Sequence, residues 1–322
     1  MSVKINEVLV SIIIPCYNVE KYVERALQSI ESQDYDNIEV ICIDDGSMDN
    51  TLSILREYAE TSRLLIRIYS QDNQGVSCAR NNGIEMAEGK FIIFMDADDV
   101  ISECFVSSLI NAIGNSGTAY NYWTRDASSI RTLKIQPEYL KQHEIMDSLM
   151  HRKYPINFCN FLYRTDIIRT YSLGFDRDLK YGEDALFLWK YLAHVSEGYF
   201  IEQPMYWYFQ NPASAQHDIK WNRIDAVTAI ERAEEYLKKN DCVYFQNFSD
   251  YMPYRVRFTV LLDFARAQKR QLYNRFYTEY NMRECVGKLL FKNGFILTVS
   301  AMVAKFSPLS FYILAGLLNY SS

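Results

Sequence analysis

Three carboxylates, Asp96, Asp98 and Asp99, follow directly on an apolar run in the stretch FMDADD. Hard divalent cations prefer carboxylate oxygens together with substrate phosphates over an all-protein cage. Two or three carboxylates alone make a weak, open site, suited to a metal that arrives with a diphosphate. The plain alternative is a solvated acidic turn that caps the next helix. A second acidic group, Asp44-Asp45-Gly46-Ser47-Met48-Asp49, also follows an apolar run. Its carboxylates are suited to accept hydrogen bonds from a base or ribose, while Ser47 and Asp49 are equally good helix caps. Arg80 lies in NQGVSCARN, in the second turn of an expected helix, and can point toward the same cleft or make a surface salt bridge. Glu183-Asp184 opens another expected helix, where the helix dipole favours an ionised Asp and N-capping is the plain reading.

The elements that would position these groups alternate over the first 115 residues. Apolar runs at residues 8–14, 38–43, 64–69 and 91–95 read as strands. Helical spacing covers residues 19–33, 50–60, 76–87 and 103–113. Strand–helix alternation with short links predicts an α/β domain with a mainly parallel sheet. Runs that are apolar on both faces imply helices on both sides. Ligands bind such sheets at the carboxyl ends of the strands, where Pro15-Cys16-Tyr17-Asn18, Asp44-Asp45, Gln71–Gly75 and Asp96–Asp99 all fall. Helices are further expected at 139–150, 182–193, 224–239 and 255–277, with an aromatic strand at 204–209. No internal repeat, G-x-G-x-x-G or G-x-x-x-x-G-K-[ST] occurs.

The 322 residues are 49% hydrophobic and 23% charged, a globular composition long enough for a sizeable core. A net charge of −6 disfavours nucleic acid. The charge is uneven: from Arg255 onward ten Lys/Arg face three Asp/Glu, a balance of +7, which leaves −13 on the first 254 residues. Such asymmetry points to an acidic partner or anionic surface for the C-terminal region. Seven scattered Cys without a CxxC pair read as reduced, buried thiols of a cytosolic protein. The N-terminal residues read as a lead-in to a strand rather than a signal peptide.

The motifs VSIIIPCYN, CIDDGSMDNT, NQGVSCARNNGIEMAEGKFIIFMDADD and YGEDALF, with LGFDRDLKYGED and PMYWYFQNPASAQ, resemble in order and spacing the inverting glycosyltransferases of family 2, of the bacterial polysaccharide or O-antigen type. The resemblance covers residues 8–215. It implies a GT-A fold, with a nucleotide-binding, mainly parallel sheet flanked by helices over residues 1–220, followed by a helical region over 221–322. It also implies transfer of a sugar from a nucleoside-diphosphate donor, UDP by family habit, to a glycan hydroxyl, with Mn²⁺ or Mg²⁺. By resemblance, Pro15, Tyr17 and Asn18 lie against the nucleotide with Glu20 close by, and Asp44 and Asp45 near base and ribose. Arg80 lies near base or diphosphate. Asp98 is the direct metal ligand, Asp96 leans to ribose and metal water, and Asp99 faces the donor sugar or the following turn. Asp184 is the general base. Inversion by direct displacement needs one carboxylate to take the acceptor's proton and a metal to offset charge on the leaving diphosphate. The chain departs from the family at Asn160–Tyr163, which reads NFLY where NKLY is common, and at Gln210, where Arg is common. Both positions are expected toward the acceptor or a closing loop. His217 is a candidate further metal ligand.

The tail, residues 295–318, carries one charge, Lys305, and is split by Pro308 into two pieces too short to span a bilayer. Short apolar helices beside Lys288, Lys292 and the earlier basic residues fit attachment to an anionic membrane face, with packing on the body or another chain, or a true span, as the alternatives. The expected setting is peripheral, at the inner face of the cell membrane, with a lipid-linked glycan as acceptor. A nucleotide-sugar-binding protein without transferase activity is the rival, and it would need no base. A sugar nucleotidyltransferase would want an early Gly-rich basic loop in place of PCYN.

Overall fold

The computed structural model describes residues 8–130, 135–210, 219–290 and 295–317. The chain divides into two compact units, Met1–Arg177 with Phe187–Asn211, and Asp178–Leu186 with Pro212–Ser322.

The first unit opens with the expected alternation. β1 (Val10–Cys16), α1 (Val23–Glu31), β2 (Ile38–Asp44), α2 (Thr51–Thr61), β3 (Leu65–Ser70), α3 (Val76–Met86) and β4 (Phe91–Phe94) follow in order. β5 (Val100–Ile101), α4 (Phe105–Ile113), β6 (Thr118–Thr124), β7 (Glu138–Lys141), α5 (Gln142–Met150), β8 (Phe161–Arg164), α6 (Thr165–Thr170), α7 (Glu183–Leu192) and β9 (Glu197–Trp207) come next. The nine strands make one sheet in the order β3-β2-β1-β4-β8-β6-β9-β5, with β7 also on β9. β3, β2, β1 and β4 run parallel, and β6 runs parallel to β9. β8 runs antiparallel to both its neighbours, as do β5 and β7 to β9. The mainly parallel expectation therefore holds for the first half, and the second half is mixed.

Burial explains the first half. β1 and β2 are covered along their length, so their β-branched runs face helices on both sides. β3 is an edge strand with Leu65 exposed, and the reading of it as covered on both faces does not hold. The starts of the parallel strands are tied by a buried acid. Glu39 accepts from Ser11 Oγ (2.5 Å) and from the backbone N–H groups of Glu88 (2.7 Å) and Gly89 (3.1 Å), and it pairs with Arg67. A buried carboxylate is tolerable only when paired and hydrogen-bonded in this way. At the other end of β4, Phe94 meets Phe158, Tyr163, Phe175 and Phe187 with ring centroids 5.2–5.8 Å apart. This aromatic cluster fixes the strand end that delivers Asp96.

Two expected helices are corrected. Residues 139–150 are not one helix: Glu138–Lys141 pairs with β9, and the helix begins at Gln142. Pairing with an available sheet edge outweighs helical spacing there. In the second unit, which contains α8 (Asp225–Lys239), α9 (Phe245–Ser249), α10 (Met252–Arg266), α11 (Arg270–Glu279), α12 (Met282–Leu289), α13 (Phe295–Phe306) and α14 (Pro308–Leu317), the expected helix over 255–277 is broken. Gln268 takes a left-handed φ of 56°. Phe264 and Phe276 thereby meet at 5.7 Å, whereas a straight helix would hold twelve residues about 18 Å apart. The break at Pro308 falls where the sequence puts it. Among the described residues no helix is long and apolar enough to cross a membrane. All seven cysteines are buried and none is in a disulfide.

Gly89 lies where β1 crosses the α3–β4 turn. A Cβ there would stand 2.6 Å from Ser11 N and 2.9 Å from Leu9 O, both backbone atoms. Gly89→Ala is expected to lower unfolding stability by about 2–3 kcal/mol through overpacking, measured by urea titration; an unchanged midpoint would contradict the close approach.

Candidate active site

The parallel register aligns the strand ends: Cys16 stands beside Asp44, and Asp44 beside Ser70. Met95 N donates to Ile13 O at 3.0 Å, which brings the residues after β4 level with the loop after β1. A cleft of about 330 Å³ opens there. Pro15, Tyr17, Asp45, Gly75, Asp96 and Asp98 are among the residues that line it. Five of the residues singled out in the sequence thus meet in one place.

The loops around the cleft are sewn to one another. Asn18, in the left-handed region at φ 52°, donates its N–H to Ser47 Oγ (3.0 Å), and its Oδ1 accepts from Met48 N (2.8 Å). Asn is one of the few side chains that adopts this conformation readily. Glu20 accepts from the backbone and the side-chain amide of Asn50 at 3.0 and 2.9 Å. Asn18 and Glu20 therefore join the first loop to the second and are not part of the cleft lining. Asp44 is buried, accepting from Ser70 Oγ (3.0 Å) and Ser47 N (3.3 Å). Asp45 accepts at Oδ1 from Gln71 Nε2 and Gln74 N, and at Oδ2 from Gly75 N, all within 2.8 Å. It holds the third loop in place while facing the cleft. Gly46 has a φ of +72°, and a Cβ on it would meet Asn73 N at 2.9 Å, so the second loop can pass the third only as glycine.

β4 ends at Phe94, so Asp96 and Asp98 come together in a turn, closed by Asp99 N donating to Asp96 O at 3.2 Å, rather than by strand alternation. Arg80 is buried, not on the surface, and its guanidinium reaches Asp96 Oδ1 at 3.0 Å. The same guanidinium lies 4.5 Å from the Phe158 ring and 5.2 Å from the Phe175 ring, contacts that favour a desolvated cation. Arg80 is therefore behind the cleft, holding Asp96.

Asp99 turns away from the cleft. Its Oδ2 accepts from Tyr206 O–H at 2.6 Å and its Oδ1 from Phe209 N at 2.8 Å. The donor sugar or the following turn was expected; the carboxyl is instead held by the end of β9. Burial first, and then the charge of Asp96, push its carboxyl up to about 8, against the two donors that favour the anion. Burial and the neighbouring Asp99 hold the Tyr206 phenol well above its ordinary range, so it remains a donor.

Arg25 carries no local signal in the sequence. From α1 it donates to the Asp98 carbonyl oxygen at 2.7 Å, with its guanidinium 4.3 Å from the Phe209 ring and 4.8 Å from Trp207. Tyr206 was visible only as one member of an aromatic alternation, with no way to tell which ring faced inward. The NFLY stretch is corrected: Asn160–Tyr163 is core, not acceptor side. Phe161 stacks on Tyr120 at 4.7 Å, and Asn160 Nδ2 donates to Asn121 Oδ1. Phe161, at the position of the Lys in NKLY, is fully buried. Gln210 is exposed, and His217 lies outside the described residues. Asp184 sits in the first turn of α7, partly exposed, its Oδ1 accepting from Ala185 N at 2.7 Å. It belongs to the segment 178–186 of the second unit.

Asp96 and Asp98, neighbours on one open cleft, with no cluster of three or more ligating side chains among the described residues, fit a hard cation that brings its other ligands on a diphosphate. A parallel half-sheet with acidic groups at its strand ends, followed by a mixed half-sheet, is the GT-A fold. Solved structures share it. TarS 1–349 of S. aureus in complex with UDP-GlcNAc superposes with a TM-score of 0.66 at 18% identity, over 96% of this chain and 90% of that one. The mannosyltransferase PcManGT of Pyrobaculum calidifontis, in complex with GDP-Man and Mn²⁺, does so at 0.56 and 16%, over 97% and 87%.

Residues 11–172 match the family described as Glycosyl transferase family 2, and the chain belongs to it. The uncharacterized glycosyltransferase EpsJ of Bacillus subtilis (strain 168) is 31% identical over 215 residues, 64% of this chain and 62% of that one. The minor teichoic acid biosynthesis protein GgaB of the same organism is 28% identical over 233 residues, 66% of this chain and 24% of that one. The chain spans about three fifths of the length of EpsJ and of the putative glycosyltransferase EpsH.

Tyr206→Phe would leave a buried acid without one of its two donors. It is expected to cost about 1–3 kcal/mol of unfolding stability, read by thermal or urea denaturation; full stability would mean that Asp99 does not depend on that bond.

Proposed function

We propose that this family 2 glycosyltransferase moves a sugar from a nucleoside-diphosphate donor, UDP-linked by preference, to a hydroxyl of a lipid-linked glycan, with inversion, in cell-surface polysaccharide synthesis. The observation that carries the reading is the cleft where Asp96 and Asp98 open toward Pro15, Tyr17 and Asp45. Two relatives support the donor and the pathway class: TarS was solved with UDP-GlcNAc, and GgaB is named for teichoic acid biosynthesis.

In this reading Tyr17, half-exposed at the cleft mouth, gives its ring to the base, and Pro15, Asn18 and Glu20 shape the loop beneath it. Asp45 faces the ribose, with Asp44 behind it, while Arg80 keeps Asp96 aimed. Asp98 and Asp96 would hold the divalent cation, Mn²⁺ or Mg²⁺. Bound there, the cation offsets charge growing on the diphosphate as it departs. Asp99 keeps the turn in place through Tyr206 and Phe209.

Asp184 takes the proton from the acceptor hydroxyl. The acceptor oxygen then bonds to the anomeric carbon as the bond from that carbon to the diphosphate breaks, and the proton stays on Asp184. The setting is the inner face of the cell membrane, with the C-terminal helices at the lipid.

Asp184→Asn is expected to lower kcat by about 10²–10⁴-fold while the donor dissociation constant stays within about twofold. Transfer at the wild-type rate would remove the base assignment, and loss of donor binding would make Asp184 a binding residue. A thermal-shift panel of UDP-, GDP-, CMP- and dTDP-sugars with Mn²⁺ is expected to single out the uracil donors. Donor binding with no turnover on any lipid-linked acceptor would favour the rival, a nucleotide-sugar-binding protein without transferase activity.

A further inference from the structure

α14 carries no charged residue, yet only one side of it is covered. Phe311, Tyr312, Ala315 and Gly316 face inward, with Phe311 against Phe258 and Tyr312 against Tyr273. The helix is held down by Tyr273 O–H on Pro308 O (2.9 Å), and the end of α13 by Tyr277 O–H on Ala304 O (3.0 Å). The opposite side presents Leu309, Ile313, Leu314 and Leu317, with Phe306 just before it, each more than half exposed. An apolar face of that extent marks a binding surface.

Beside it is a basic pocket of about 490 Å³ lined by Asn281, Arg283, Glu284, Gly287, Lys288 and Lys305. The Lys305 ammonium lies across the bare backbone of α12, 3.1 Å from where a Cβ on Gly287 would stand. Lys305 immediately precedes Phe306, the most exposed of the apolar residues, so pocket and apolar face are continuous. Asn281 donates to the one acid, Glu284, at 2.9 Å. Residues from Arg255 onward carry +7 and the rest −13, so an anionic surface attracts this region alone. A second copy docking here face to face would set the same cations against each other.

We propose that the α12–α14 face docks on an anionic bilayer, with Leu309, Ile313, Leu314, Leu317 and Phe306 among the acyl chains and Arg283, Lys288 and Lys305 on lipid phosphates. Helices this short lie in the interface rather than span it. The proposal deepens the membrane part of the reading above, and its test reads lipid binding rather than sugar transfer, so that either can fail without the other.

The test is flotation of the full chain with vesicles of phosphatidylcholine alone or mixed with phosphatidylglycerol. Partition onto the mixed vesicles is expected to exceed that onto neutral ones by about tenfold or more and to fall in high salt. Ile313→Glu with Leu317→Glu should abolish it. Lys288→Gln with Lys305→Gln should weaken it by roughly twentyfold, near fivefold for each charge. All four positions are exposed or line an open pocket, and circular dichroism checks folding. Equal partition onto neutral vesicles, or partition untouched by the Glu pair, would overturn the proposal. So would absence of vesicle binding together with a wild-type dimer that the Glu pair renders monomeric.

Discussion

Three carboxylates within four residues, at the end of a buried strand, repel one another, and the first unit is arranged around that repulsion. Asp96 is answered by a guanidinium brought from α3 and held between two rings of the core. Asp99 is answered by a phenol and a backbone N–H from the end of β9. The carbonyl of Asp98 is answered by Arg25 from α1. Held in this way, Asp96 and Asp98 line the cleft side by side. The contacts behind them offset the repulsion that would destabilise an unsupported turn.

This support explains the mixed half of the sheet. The parallel strands deliver the loops, but they do not contain the partner of Asp99. β9 does, and it reaches that position only by pairing with β6, β5 and β7. Aromatic residues make the join: Tyr206 on the acid, Phe94 and its neighbours on the strand end, and Phe161 stacked on Tyr120 inside. The NFLY variation belongs to that core rather than to a surface that meets substrate.

What could be read directly from the chain was local. Four apolar runs with polar ends located β1 to β4 and the cleft at their carboxyl ends, because parallel strands buried on both faces leave an unbroken hydrophobic signature. The split of the tail at Pro308 was visible for the same reason, since proline stops a helix from its own covalent geometry. What stayed hidden depended on distant partners. The β7 segment looks helical until β9 offers it an edge. The bend at Gln268 has neither glycine nor proline to announce it. Arg25 and Tyr206 could not be assigned because nothing in their neighbourhoods shows that they converge on FMDADD from residues 73 and 107 positions away. Asp44, Asn18 and Glu20 were expected beside the nucleotide, while the contacts they make hold loop to loop.

The central claim is that Asp98 and Asp96 accept a divalent cation only together with a nucleoside diphosphate. Electron paramagnetic resonance of Mn²⁺ tests it most directly, because the free ion's signal is lost on binding. Little loss is expected with protein alone, a large loss when UDP is added with protein, and none beyond that of Mn²⁺ with UDP in Asp98→Asn. UDP that binds with the same affinity in excess chelator, in wild type and Asp98→Asn alike, would contradict it.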